Sequence, residues 1–149
     1  MMQIAEVVKY LVLGVVLTAG ACGAAGGAIR VIDGDTLEVS GESIRLWGIN
    51  APEGGQRCER AALSRLVSGR AVRCKARYED RYGRAVARCF TGKVDLGGEL
   101  MRQGWALDYE RYSEGHYRQD QAEAKAEGRG LWSGEFEPPW QWRHHSSKP

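Results

Sequence analysis

A chain of 149 residues, 43% apolar and 27% charged, has the length of one domain and an ordinary globular composition, which excludes disordered, collagen-like and multi-span membrane architectures. Its net charge of +2 conceals a basic block: residues 1–27 carry Lys9 against Glu6, residues 28–56 two basic side chains against five acids, residues 57–102 twelve against five, and residues 103–149 six against eight. Sixteen of the 21 cations are Arg, the side chain that forks phosphate, so the block fits a polyanionic partner as well as a solvated face.

The first element is an uncharged stretch over residues 10–29, preceded by Lys9. Its strongly apolar part ends near Leu17, and Ala19-Gly20-Ala21 offers the small-x-small pattern of a secretory cleavage site, so the chain reads as exported with a cut before Cys22. The second reading is an uncleaved anchor. A span needs about 20 apolar residues, and this run reaches that length only if Gly20, Gly23, Gly26 and Gly27 are membrane-buried. Lipidation of Cys22 is a third, less favoured because the residue three before it is Ala19 rather than Leu. The expected location is secreted or periplasmic, or held at the membrane through residues 10–29.

Ile29 to Ile32 and Thr36 to Val39 alternate with a period of two around Asp33-Gly34-Asp35, which predicts strand, turn, strand. Ser40-Gly41-Glu42 marks a turn, and Ile44 to Ile49 predicts a third strand with Arg45 and Trp47 on one face. Asn50-Ala51-Pro52-Glu53-Gly54-Gly55 follows as a loop. Arg57 to Val67 has helical spacing and is stopped by Gly69. Ala71 to Cys74 and Ala85 to Phe90 supply two more strands around Tyr78 to Gly83, a short helix lies around Leu96 to Met101, and a third covers Tyr117 to Glu127. Five short strands and three helices predict an α+β fold around a small barrel.

Export permits disulfides. If the strands around Tyr78 to Gly83 are antiparallel, Cys74 and Cys89 face each other and become candidates for a cross-strand pair. Cys58 then pairs with Cys22 or stays a buried thiol. No Cys-x-x-Cys occurs, and His116, His144 and His145 lie far from any cysteine pair, so no zinc site is expected.

Three segments carry candidate chemistry. Asp33-Gly34-Asp35-Thr36 puts two carboxylates on a tight turn in which Gly34 allows the bend, an oxygen set suited to a hard cation, although Asp is also an ordinary turn residue. Arg45 precedes the loop in which Pro52 stiffens Glu53, a carboxylate able to orient or deprotonate water. Asp80-Arg81-Tyr82-Gly83-Arg84 presents two guanidinium groups and a phenol. Together with Leu100-Met101-Arg102-Gln103-Gly104 and Gly130-Leu131-Trp132-Ser133, these segments resemble the staphylococcal nuclease (thermonuclease) family in order and spacing over residues 28 to 134.

The resemblance implies a five-stranded OB-type barrel with three helices that hydrolyses phosphodiester bonds of DNA and RNA with Ca2+. It assigns Asp35 as a metal-binding carboxylate supported by Asp33, and the main-chain oxygen of Ala51 as a further ligand. Arg45 and Arg84 take the phosphate-binding places and Glu53 that of the general base. Arg81 and Tyr82 fall at the terminal phosphate of a nucleotide, and Tyr109 and Tyr112 beside it. Asn50 stands where the family has a second metal-binding Asp. One negative charge is lost there, so weaker Ca2+ binding is expected, and a module that binds nucleic acid without cutting it is the alternative.

The expected layout is a signal or anchor over residues 1–27, the nuclease domain over 28–136 and a Pro/Trp tail over 137–149, in a monomer whose partner is DNA or RNA. Trp47, Trp105 and Trp132 are expected at the core or its edge. Trp140, Trp142, Arg143, His144 and His145 form the aromatic-basic part of the tail.

Overall fold

A computed structural model describes residues 28–51, 57–135 and 138. The segment read as signal or anchor, Cys22, Pro52-Glu53 and the aromatic-basic tail lie outside the described residues. Within them, no helix is long and apolar enough to cross a membrane.

The chain forms an α+β fold of the OB type. Its elements are β1 (Ile29–Val31), β2 (Thr36–Val39), β3 (Glu42–Leu46), β4 (Ile49–Asn50), α1 (Arg57–Val67), β5 (Val72–Glu79), β6 (Ala85–Thr91), β7 (Val94–Asp95), α2 (Leu96–Arg102), β8 (Leu107–Asp108), α3 (Glu110–Ser113) and α4 (Arg118–Ala126), followed by a 3-10 turn at Gly130–Ser133. The main ladder runs β1-β2-β3-β6-β5, with β7 added on β6. The first three strands form an antiparallel meander whose second connection places Ser40 at φ 54° and Gly41 at φ 86°. Two consecutive positive φ values mark the hairpin turn whose twist matches that of its strands. β3 then pairs in parallel with β6, and the required crossover carries α1 and β5. Leu37, Leu46, Ile49, Leu63, Leu96, Leu100 and Met101 fill the space between sheet and helices, all essentially inaccessible.

The structure divides the predicted third strand. β3 stops at Leu46, the chain turns at Trp47-Gly48 with Gly48 at φ 73°, and Ile49-Asn50 departs as β4 to pair with β8. A side chain at Gly48 would also meet Ser113 Cβ at 2.9 Å, so the turn needs glycine for conformation and for room. Trp47 consequently enters the core instead of sharing a strand face with Arg45. β5 is longer than predicted because its second half is exposed, and an edge strand wet on both faces has no hydrophobic alternation to read. The three predicted helices are α1, α2 and α4; the single turn α3 and the 3-10 turn are additional.

Cys74 and Cys89 occupy one register position of β5 and β6 and are joined by a disulfide. Beyond it, a bulge at Arg77 shifts the register and sets Arg77 over the Trp47 ring at 4.2 Å. Cys58 is exposed and free among the described residues, which corrects the buried-thiol reading: α1 turns Ala62, Leu63, Leu66 and Val67 inward and leaves position 58 outside. α2 starts where the Asp95 carboxylate accepts a bond from the Gly97 amide at 3.1 Å, a side-chain cap of an otherwise orphaned donor. Its far end is capped by the amides of Gln103, Gly104 and Trp105, and the 3-10 turn clasps the chain just beyond. There Leu131 N donates to Gly104 O at 2.9 Å, and a Cβ on Gly104 would fall 2.1 Å from Arg129 O.

The disulfide spans 15 positions, a loop for which chain-entropy arguments give about 3 kcal/mol. Replacing both Cys74 and Cys89 by Ala is expected to lower the unfolding free energy by about that amount in urea titration, and a loss under about 0.5 kcal/mol would show that the hairpin holds without the crosslink.

Candidate active site

The site is assembled from the β1–β2 turn, the end of β3, the β5–β6 connection and the α3 region. They line one cavity of about 1050 Å³ whose wall includes Asp33, Asp35, Arg45, Arg81, Tyr82, Arg84, Tyr109 and Tyr112. All eight are residues singled out in the sequence. Asn50 and Ala51 lie behind this wall, each about 2% exposed. Cys74 and Cys89 belong to the sheet and not to the site, and Glu53 lies outside the described residues.

Asp35 is the most constrained member. Its carboxylate accepts bonds from Thr36 Oγ1 at 3.0 Å, from Arg45 Nη1 at 3.3 Å and from the Ala51 amide at 3.1 Å, and Arg45 Nη2 lies 3.2 Å from its second oxygen. Strand register explains the pairing, because Thr36 and Arg45 are cross-strand partners in β2 and β3. The Asp35 amide donates in turn to Asp33 Oδ1 at 3.1 Å, the local bond that shapes an Asx turn. Burial pushes the Asp35 carboxyl up to about 6, against the opposing pull of the Arg45 charge.

Gly34 serves this turn by lacking a side chain rather than by a left-handed φ. A Cβ there would sit 2.7 Å from Ala51 Cβ and 2.8 Å from Glu59 Cβ. Glu59 is thus the floor beneath the turn, 2% exposed with Oε2 lacking a hydrogen-bond partner among the described residues, and burial raises its pKa. Sequence reading missed it because a Glu in the first turn of a helix ordinarily serves the helix dipole.

Arg84 is positioned by Asp80. The Asp80 carboxylate accepts from the amides of Tyr82 and Arg84 at 2.9 and 3.0 Å and from Arg84 Nε at 2.9 Å. Burial alone would raise the Asp80 pKa, but the Arg84 amide and guanidinium and the Tyr82 amide outweigh it and hold the group below its ordinary value. Arg81 and Arg84 stand 4.8 and 5.4 Å from the Tyr82 ring centroid, and Arg81 Nη2 donates to the Tyr82 hydroxyl at 2.7 Å. Tyr109 and Tyr112 meet edge to face at 4.7 Å. They reach the cavity because the β4–β8 pair and the bond from Tyr109 N to Gly48 O at 2.9 Å hold their segment against the end of β3. A fourth phenol, Tyr78, also lines the cavity. Extending β5 past Cys74 by its pairing with β6 would have found it.

The donor set can be tested against a cation. Asn50 Oδ1 is buried with no hydrogen-bond partner among the described residues, and the Ala51 amide on Asp35 ties residues 50–51 to the carboxylate. An orphaned amide oxygen, a main-chain carbonyl and one buried carboxylate form a hard oxygen set of the kind Ca2+ accepts. It is a set of low charge: among the described residues no three His, Cys, Asp or Glu side chains converge as a metal cluster.

Known proteins similar in sequence give the family. Residues 43–134 match the staphylococcal nuclease homologue family. The chain is 38% identical to the succinoglycan biosynthesis protein ExoI of Rhizobium meliloti, over 74% of this chain and 66% of that protein. It is 36% identical to an uncharacterized endonuclease of Escherichia coli O157:H7, over 80% and 84% respectively. It is also 34% identical to a probable staphylococcal-like nuclease, CAN3, of Oryza sativa, over 67% of this chain and 28% of the rice protein. The chain thus spans just under two thirds of the Rhizobium protein and under a third of the rice protein.

The raised pKa of Asp35 has a signed consequence. The folded state holds this proton more tightly than the unfolded chain, where a carboxyl titrates near 3.9. The associated stability is present below that pH, is lost as pH rises to about 6, and stays lost above it. In metal-free urea titrations, the stability of Asp35→Asn relative to wild type is expected to rise from about pH 4 to pH 7, on top of a pH-independent loss from the missing Arg45 pairing. A stability difference that stays constant or falls over that range would contradict this.

Proposed function

Since the chain belongs to the staphylococcal nuclease family, we propose that it is an exported, Ca2+-dependent nuclease that hydrolyses phosphodiester bonds of DNA or RNA. The observation that carries this reading is the convergence of Asp35, Arg45 and Arg84 on one cavity beside four tyrosines. A phosphodiester resists water because its charge repels the nucleophile and more charge gathers on the non-bridging oxygens in the transition state. Two guanidinium groups facing a single pocket answer that charge, and a preorganised donor of this kind is worth about 3 to 4 kcal/mol. Arg45 and Arg84 fork the non-bridging oxygens with a planarity that lysine lacks. Glu53 takes the role of directing and deprotonating the attacking water. Tyr109 and Tyr112 offer ring faces to the nucleoside, with Arg81 and Tyr82 beside the terminal phosphate, and base stacking contributes about 1 to 3 kcal/mol.

Asp35, Asn50 and the Ala51 carbonyl would hold the cation, with Asp33 supporting. When bound, Ca2+ supplies Lewis-acid polarisation of the phosphate. The disulfide between Cys74 and Cys89 supports export, because such crosslinks persist in oxidising compartments. Processing before Cys22 or retention through residues 10–29 then decides whether the enzyme is free or membrane-held. Asn50 favours one second reading, a module of the same fold that binds nucleic acid without cutting, since this ligand carries no charge.

Hydrolysis of a fluorescent oligonucleotide under Ca2+ titration separates the two. The enzyme reading expects metal-dependent cleavage that falls about 100-fold or more in both Glu53→Gln and Arg84→Ala; binding without cleavage at every Ca2+ concentration would establish the module instead. Asn50→Asp is expected to tighten Ca2+ binding from about 10⁻⁴ to 10⁻³ M by roughly tenfold, measured by calorimetry. An unchanged affinity would remove position 50 from the ligand set.

A further inference from the structure

A second concavity, of about 550 Å³, lies between β1 and the carboxyl end of α1 and shares no lining residue with the cavity. Its wall includes Arg30, Arg60, Ser64, Ser68 and Arg70. Arg30 is already answered by Glu38 at 2.7 Å. Arg60 and Arg70 are exposed and make no ion pair among the described residues. Arg84, Arg88 and Arg102 of the basic block are committed to acids, to Asp80, to Asp95 and to Glu99 and Asp120. Arg65, Arg73, Arg77 and Arg81 also make no ion pair among the described residues, but of these unpaired cations only Arg60 and Arg70 line the groove. The acid next to Arg60 in sequence, Glu59, is buried beneath the Asp33–Asp35 turn and so offers no surface charge to the groove.

The carboxyl end of α1 brings a partial negative charge of about half a unit, which two unpaired guanidinium groups exceed. The Ser68 and Arg70 amides cap carbonyls of the last turn, Ser64 O and Val67 O. Gly69 has nothing within 4 Å of where a Cβ would stand, so the turn between Val67 and Arg70 is open to a ligand.

We propose that this groove is a second phosphate-binding site, which holds the nucleic-acid strand beyond the nucleotides seated in the catalytic cavity; the proposal rests on the nuclease reading. Arginine forks phosphate, and two unpaired forks in a concave wall suit a polymer that places phosphates at regular intervals. A lipid surface fits less well. Its recognition calls for clusters of four to eight cations or for apolar side chains that insert, whereas the valines of this wall, Val31 and Val67, are buried.

The test uses a fluorescein-labelled single-stranded 30-mer, bound in EDTA so that no cleavage occurs, over a salt series. Arg60→Ala/Arg70→Ala is expected to weaken binding about tenfold at low salt and to reduce the slope of log K against log salt by about 1.4, near 0.7 per phosphate contact. Cleavage of a dinucleotide with Ca2+ should be unchanged, because that substrate is too short to reach the groove. Arg60→Lys/Arg70→Lys should restore part of the affinity, which ties the effect to charge rather than to folding. An unchanged affinity and slope in the Ala variant would overturn the proposal, as would an equal loss on the dinucleotide. Arginine-dependent binding to phosphatidylserine vesicles with the oligonucleotide slope unaltered would also overturn it, in favour of a lipid site. If the groove variants lose oligonucleotide affinity while wild type cleaves nothing, the groove stands and the nuclease reading fails.

Discussion

The buried carboxylate of Asp35 is the constraint around which the rest is arranged. A charge removed from water is costly unless it is paired and hydrogen-bonded, and here the pairing comes from three separate parts of the chain: Thr36 beside it, Arg45 across the β2–β3 ladder, and the Ala51 amide past the end of β4. Each requirement propagates. Ala51 can approach only because Gly34 has no side chain, β4 can deliver it only because Gly48 turns the chain away from β3, and β4 is held by pairing with β8. The result is a carboxylate whose raised pKa records incomplete compensation, which is the condition under which an added cation gains most.

The second half of the cavity solves a different problem by a similar device. Asp80 accepts two backbone bonds and the Arg84 guanidinium, so one acid folds the connection and points its cation. Arg45 and Arg84 are therefore each tethered to a carboxylate before any phosphate arrives. Tethering lowers the reorganisation needed on binding, a form of electrostatic preorganisation, and it sets a competition between the resident acid and the incoming anion. The tyrosines differ in being exposed and neutral. Tyr112 is 42% exposed, a surface able to accept any base that offers a π face.

Much of this was legible in the residues, for identifiable reasons. β1 alternates in burial as it does in sequence, β2 is found by its sequence alternation although Thr36 and Leu37 are both buried, and the Cys74–Cys89 register follows from antiparallel pairing about a short connection. The clustering of Asp35, Arg45 and Arg84 came from resemblance rather than from periodicity, since no local pattern relates positions so far apart in the chain. Other features had no sequence signal. Trp47-Gly48 reads as a continuing strand until the contact of Gly48 with Ser113 is seen, Glu59 reads as a solvated helix acid although it lies under the turn, and Tyr78 was hidden in an exposed edge strand without alternation. The role of Gly34 was assigned to backbone freedom when steric contact decides it.

The crossing of Gly104 and Gly130 bears on when the fold can close. The Gly104 carbonyl, just past the end of α2, gains its amide partner from Leu131, so this clasp waits for chain made well after the helix. Until then the polypeptide lacks a contact that closes its helical side. Closure of the helical side therefore depends on a contact between segments far apart in the chain, and a change at Gly104 or Gly130 would be felt at both ends of it.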